Sequence, residues 1–238
     1  MSRYIDALDR RFYPGIGNNW DDARFRSEIL KHVSAESELL DLGAGAGIVE
    51  QMNFRGIARI VCGIDLDPRV LNNEYLDDAK VTCGESIPYD DDSFDVVFSD
   101  NVLEHLEEPE RVFQEINRVL KPGGVFLFKT PNKHHYMPLI ARLTPHSFHR
   151  FVNRLRGRGT VDTFPTLYRA NSRRQVHRLA AATGFSVEEI KLVESRPEYT
   201  RIFCPLYLAG IAYERLVNLS RLLSGIRVLM IGVLSKSN

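Results

Sequence analysis

Cysteine is scarce in this 238-residue chain, and what there is does not pair. Cys62, Cys83 and Cys204 are odd in number and far apart. That excludes a disulfide scaffold, and none of them has the close spacing of a zinc ligand set. They read as reduced thiols of a cytoplasmic protein. No apolar run reaches the length needed to cross a bilayer. Charges at Arg3, Asp6 and Asp9 interrupt the first residues too often for a secretory leader. There is no internal repeat and no linker-like stretch. Net charge is absent as well, with 31 Lys+Arg against 31 Asp+Glu. Length and composition suit one α/β domain with a sizeable core.

The charge is nevertheless unevenly spread. Between Lys129 and Arg178 there are eleven Lys/Arg and five His against one acid, Asp162, leaving 20 Lys/Arg against 30 Asp/Glu in the rest. One basic segment on an acidic chain suits an anionic partner, or else a solvated surface balanced by the remainder of the fold.

The most informative residues are Leu39-Leu-Asp-Leu-Gly-Ala-Gly-Ala-Gly47 and Gly63-Ile-Asp-Leu-Asp-Pro68. A short apolar run ends in an acid and three alternating glycines. A second run ends in another acid about twenty residues on, the layout of a nucleoside site on a parallel sheet. A dinucleotide fingerprint would need its third glycine at position 48, which is Ile48. The pattern is instead Asp-x-Gly-x-Gly-x-Gly.

Periodicity predicts a helix over Trp20–Val33, strand one at Glu38–Leu42, a helix opening over Gly47–Asn53 and strand two at Arg59–Asp65. Pro68 suits a helical first turn. Short strands follow at Ala79–Cys83 and Ser93–Ser99. Pro109–Leu120 carries Val112, Phe113, Ile116, Val119 and Leu120 on one helical face. Lys121-Pro-Gly-Gly124 ends that helix and Val125–Lys129 is strand five. His134–Ala170 breaks the alternation. A helix at Ser172–Thr183, strand six at Phe185–Val193, an apolar helix at Cys204–Leu223 and a last strand at Arg227–Leu234 complete the chain. Alternating strands and helices imply a parallel sheet covered on both faces.

Asp41 to Gly47 resembles motif I of the class I S-adenosylmethionine (SAM) methyltransferases. Further landmarks agree in order: Ile87-Pro-Tyr-Asp-Asp-Asp-Ser-Phe-Asp-Val-Val97, Asn101-Val-Leu-Glu-His-Leu106 and Arg118-Val-Leu-Lys-Pro-Gly-Gly124. From Leu39 to Asn132 the chain is similar to the small-molecule branch that includes ubiquinone and menaquinone biosynthesis enzymes. The resemblance implies a Rossmann-like α/β fold: a seven-stranded, mostly parallel sheet with helices on both faces and an antiparallel last strand. The reading is one methyltransferase domain over 1–238. It comprises an N-terminal helical cap (1–34), a SAM-binding core (35–132), a basic substrate-lid insert (133–171) and the C-terminal part of the sheet (172–238), with the apolar helix 204–223.

On that resemblance the cofactor is S-adenosyl-L-methionine, held by Asp41, Gly43, Gly45, Gly47, Asp65, Leu66, Gly84, Glu85, Asp100 and Asn101. Asp41 would lie near the cofactor's amino group, Asp65 would take both ribose hydroxyls, and Leu66 would pack on the adenine. The family's Asp-Ala pair after strand three is missing; Cys83-Gly84 stands there, followed by Glu85. Tyr13 and Trp20 read either as a cover over the cofactor or as core.

His105, just past strand four, and His134 and His135, past strand five, are the candidates for a base or a substrate contact, with a structural role as the alternative. Tyr136, Arg150, Tyr168 and Arg169 are the candidate substrate residues, since guanidinium groups suit phosphate or carboxylate. His146 and His149 lack an acid or cysteine to complete a metal site, so no metal is assigned. Ser99-Asp-Asn-Val102 replaces the Asn/Asp-Pro-Pro-aromatic of nucleobase-modifying branches. This favours an oxygen or carbon acceptor and leaves an aliphatic amine open; the leading reading is O-methylation of an anionic or lipid-linked small molecule, by analogy an envelope glycan intermediate or a quinone-like lipid. A nucleic-acid methyltransferase, which that replacement disfavours, and a non-catalytic SAM-binding subunit are the alternatives. The apolar helix suits packing on the sheet or a homodimer contact, and alternatively peripheral contact with the inner face of a membrane from the cytoplasm.

Overall fold

The structure is a computed structural model and describes residues 3–143 and 165–237. The described residues group into two compact units. The larger lies within Asp21–Pro131, Thr166–Lys191 and Met230–Asn238, the smaller within Met1–Trp20, Asn132–Pro165 and Leu192–Leu229.

The larger unit holds a seven-stranded sheet of order β3-β2-β1-β4-β5-β7-β6. The strands are β1 (Glu38–Leu42), β2 (Ile60–Asp65), β3 (Asp78–Val81), β4 (Phe94–Asp100), β5 (Leu120–Pro131), β6 (Phe185–Val193) and β7 (Leu229–Lys236). β1 pairs in parallel with β2 (Leu40 opposite Cys62) and with β4 (Leu40 opposite Val97); β2–β3 and β4–β5 are parallel too. β7 runs the other way. Asn132 N, just past the end of β5, donates to Val228 O before the start of β7, whereas Lys236 at the end of β7 donates to Leu120 O at the start of β5.

Central strands are buried on both faces, which is why they read as continuous apolar runs rather than alternating ones. Leu39, Leu40, Val97, Phe98, Phe126, Leu127 and Phe128 are all fully buried. Helix α3 (Pro109–Val119) lays its predicted stripe on this sheet. The Phe113 ring stands edge-on to Phe126 at 5.5 Å and to Phe185 at 6.3 Å. The expected stop at Lys121–Gly124 lies inside β5, as a bulge. The ladder jumps from Phe94–Leu120 to Val96–Val125, and Gly123 supplies φ +74° for the detour.

Several boundaries differ from expectation: the helix expected over Trp20–Val33 stops at Ile29, and β3 ends at Val81 rather than Cys83. No helix opens at Gly47: its φ is +71° and Val49 is extended, so only a single 3-10 turn forms, at Glu50–Met52. The C-terminal helix stops at Leu219. β7 starts two residues late: Arg227 O accepts from the Asn132 side chain and Val228 N donates to a Glu194 carboxyl oxygen, so side chains take these backbone groups.

The smaller unit contains α1 (Arg3–Phe12), α4 (Tyr136–Leu143) and α6 (Cys204–Leu219). Helix α2 (Trp20–Ile29) begins at the junction, and α5 (Arg173–Ala182), capped by the Ser172 hydroxyl, belongs to the larger unit. α1 was not foreseen; it closes on α6 through Ile5, Tyr13, Tyr207 and Ile211. Tyr13 is therefore core, not a cover. α4 was hidden by Pro138, which sits in its first turn where the missing N–H costs nothing.

Truncating Phe113 to Ala empties the junction of α3, β5 and β6. The expected loss is about 3–5 kcal/mol, read as a lower urea midpoint with an unchanged denaturation slope.

Candidate functional site

The glycine turn leaves β1 at Gly43 and is pinned to β2, because Gly43 N and Ala44 N both donate to Ile64 O at 2.8 and 3.1 Å. Gly43 has φ +83°, and a Cβ there would stand 2.2 Å from a Val102 methyl. No other residue fits. Gly45 has φ +55° too, yet a Cβ on it would meet nothing within 4 Å. Its backbone faces open space and can be approached closely by a ligand. Asn73, which sequence reasoning passed over, clamps the loop by donating to Ala44 O and Gly45 O at 3.1 and 3.3 Å.

The Asp65 carboxylate is already oriented. One oxygen accepts from Gly45 N at 2.8 Å and the other from Asp67 N at 2.8 Å. A carboxylate has about four lone-pair directions, so both oxygens keep capacity for further donors. Leu66 beside it is 63% exposed, an apolar face bared to solvent next to the acid.

Two more acids converge from the strand ends. Asp41 is buried, and burial, then the nearby Asp100 and Asp65 charges, push its carboxyl well above the usual range. Asp100 is pushed up to about 7 by burial, against the pull of Lys129. Lys129 is fully buried and pairs with Asp100 at 2.9 Å, with Asp21 at 3.3 Å and with Asp22. Burial alone would lower its pKa, but these acids raise it. One lysine thus faces Asp21, Asp22 and Asp100, with Asp41 and Asp65 adjoining. Negative charge is in excess, and a cation entering beside the glycine turn would be stabilised by it. Lys129 and its two helix partners were missed because the lysine lies on β5 and both acids on α2, remote along the chain.

Around that turn Asn101 is exposed at φ +55° and donates to Asp100. Gly84 is packed against Leu42 and Val112, where a Cβ would come within 3.0 and 3.2 Å, and Glu85 beside it is half-buried.

His105 follows on the post-β4 turn, half-exposed, with Nε2 3.9 Å from an oxygen of the buried Glu104. Glu104 is held from behind: Thr130 Oγ1 donates to its second oxygen at 2.9 Å, and Asn171 Nδ2 donates to Thr130 Oγ1 at 2.6 Å. Burial raises the Glu104 carboxyl. Leu167 N and Tyr168 N both donate to Glu104 O, and Arg169 donates to Glu107 O. The fold therefore brings two of the four candidate substrate residues, Tyr168 and Arg169, to the turn that carries His105. Arg150 lies outside the described residues.

The remaining candidates are in the smaller unit, and neighbours in sequence point differently. His134 is exposed. His135 is 1% exposed, ringed by Tyr136, Tyr199 and Tyr213, and among the described residues its Nε2 has no hydrogen-bond partner. Burial lowers its pKa to about 3. Glu194, 3.7 Å away, is pushed up to about 8 by burial. Near neutrality this is an uncharged imidazole beside a largely protonated acid rather than an ion pair. Among the described residues no group of three or more His, Cys, Asp or Glu is placed to hold a metal ion.

An acid-lined glycine cradle beyond the carboxyl ends of β1 and β2, in a sheet of this order, is Rossmann-like, and over residues 40–128 the family match makes it the core of a SAM-dependent methyltransferase domain. The methyltransferase-domain family matches residues 40–128, and the domain is of class I, resembling the ubiquinone-biosynthesis enzymes. An uncharacterised methyltransferase from Mycolicibacterium vanbaalenii is 32% identical over 52% of this chain and 51% of its own. The chain thus spans about half the length of that relative. A ubiquinone biosynthesis O-methyltransferase from Thiobacillus denitrificans is 29% identical over 78% of this chain and 86% of its own. Among solved structures, geranyl diphosphate C-methyltransferase from Streptomyces coelicolor, in complex with Mg2+, geranyl diphosphate and S-adenosyl-L-homocysteine, superposes with a TM-score of 0.57. It is 17% identical, covering 99% of this chain and 85% of that one. That last likeness is one of fold.

The His135–Glu194 pair makes stability pH-dependent. Glu194 rises from 4.5 to about 8 on folding, so its contribution is lost as pH climbs toward 8. His135 falls from 6.5 to about 3, so its contribution is lost as pH drops below 6.5. The two slopes cancel between 4.5 and 6.5. From pH 6.5 to 8 Glu194 is expected to contribute a loss of about 1.4 kcal/mol per pH unit in urea melts; Glu194→Gln should remove that share of the alkaline slope and leave the share of the raised Asp100 and Asp41 carboxyls.

Proposed function

We propose that this protein transfers a methyl group from S-adenosylmethionine to a hydroxyl oxygen of an anionic or lipid-linked small molecule, an envelope glycan intermediate or a quinone-like lipid. The observation that carries the reading is the surplus of buried carboxylate around an open glycine turn. SAM brings an ammonium and a sulfonium to the same place, and its bound sulfonium supplies the methyl group. The residues fit such a ligand: Asp65 holds spare lone pairs for a ribose, Leu66 offers an apolar face, and Asp41 and Asp100 attract the cationic end.

The chain's own part in the reaction is positioning and proton removal. The turn's N–H and C=O groups fix one reactant, and orientation alone accounts for much of such an acceleration. A hydroxyl acceptor must lose its proton. His105 is the group to take it, with Glu104 behind the imidazole and Thr130 and Asn171 behind Glu104. A placed base contributes about 10²–10⁴-fold. Tyr168 and Arg169, tied to the same turn, would meet the acceptor and its anionic group. Oxygen is favoured because Ser99-Asp-Asn-Val102 lacks the prolines of nucleobase-modifying sites, and a named O-methyltransferase is among the relatives. A lipid-linked acceptor would hold the enzyme at the inner face of a membrane, in the cytoplasm.

Asp65→Ala is expected to lower SAM affinity at least about 100-fold by calorimetry, with the far-ultraviolet spectrum unchanged, from the loss of a charge-assisted bidentate contact. Undiminished affinity would remove the ribose assignment. The acceptor class is read by incubating the protein with methyl-labelled SAM and a bacterial extract. Label is expected in the lipid or small-metabolite fraction; label confined to nucleic acid, or tight binding without turnover on any fraction, overturns the reading.

A further inference from the structure

Helix α6 is apolar on both sides, and among the described residues only one side is covered. Tyr207, Gly210, Ile211 and Val217 face inward. On the opposite side Leu208, Ala212, Leu216 and Leu219 follow helical spacing, and Leu222 prolongs the stripe past the helix end. Leu208, Leu216, Leu219 and Leu222 are 48%, 57%, 85% and 95% exposed. A helix hydrophobic all round is normally buried all round, so a bare row of leucines marks a surface that meets something.

The charges around it say what. On α1, on α6 and in the turn after α6, every charged side chain in full contact with solvent is an arginine: Arg3, Arg10, Arg11, Arg215 and Arg221. Of the three acids of these segments, Asp6 is half-buried and the other two are engaged or buried. Asp9 binds Arg201 and Tyr207, and Glu214 is buried against Tyr13 and Asn218. We propose that this leucine stripe, rimmed by arginine, docks the protein on an anionic lipid surface.

A second copy of the same face is a poorer occupant, since Arg215 and Arg221 would confront their own kind with no exposed acid to answer them. Nor can the helix cross the bilayer. Its 16 residues extend about 24 Å, short of a hydrocarbon core of about 30 Å. Lying in the interface, the leucines enter the acyl boundary while arginines meet phosphate, which is how amphipathic surface helices bind. The inference does not depend on the methyl-transfer reading.

The test is co-sedimentation of the full chain with phosphatidylcholine vesicles, with and without about 30% phosphatidylglycerol, at low and high salt. Binding is expected only to the anionic vesicles and to weaken with salt. Leu216→Ser/Leu219→Ser, both surface positions, should lower it at least about tenfold while the melting curve and SAM affinity stay as in the wild type. Arg221→Glu should weaken binding and flatten its salt dependence. The proposal fails if the full chain stays in solution with anionic vesicles, or if the double serine variant binds them undiminished. It also fails if light scattering shows a dimer that the same variant dissociates, which would make the stripe a self-contact.

Discussion

A lysine without access to solvent can keep its charge only if acids come with it, and Lys129 sets that condition for the whole site. Its ammonium lies at the end of β5 among Asp100 from β4 and Asp21 and Asp22 from α2. Breaking such a group by removing one partner costs more than the group adds to stability. The helix start and the two strand ends are therefore held in mutual register. The same arrangement leaves Asp41 and Asp65 without a cation of their own. The ion group that fixes the strand ends also creates the negative field that a cationic ligand would fill.

Hydrogen bonding continues the pattern on the acceptor side. Thr130 is the next residue along β5, so its side chain points to the other face of the strand from that of Lys129. One strand thereby serves two purposes: Lys129 organises the acids near the glycine turn, and Thr130 holds Glu104 behind His105. Asn171 reaches the same threonine from the segment after Pro165, tying that segment to the chemistry. Glu104, Thr130 and the Asn171 amide nitrogen are buried and hydrogen-bonded in a row, which makes their geometry sharp.

The parts of the fold that could be read from sequence are those where one short stretch decides. β1, with Leu39 and Leu40, and α3, with its stripe, carry their burial in their own periodicity. Gly43 and Gly45 declare a turn because only glycine tolerates its angles. By contrast α1 and α4 are short, and α4 carries a proline where a helix can afford one. The start of β7 depended on Asn132 and Glu194, remote residues whose side chains bond the backbone at Arg227 and Val228. Neighbours such as His134 and His135 differ only in which way each faces, and nothing in two adjacent histidines says so.

Sequence by itself determined the class of the domain, the succession of the seven strands, and the residues of the glycine turn with its two acids, because each is written in local spacing and backbone need. Tertiary structure decided the rest: that Lys129 draws together Asp21, Asp22 and Asp100, that Glu104 backs His105, that His135 is sealed off, and that one face of α6 is left bare. These facts are about distance between residues remote along the chain, and distance of that kind comes into being only when the chain packs.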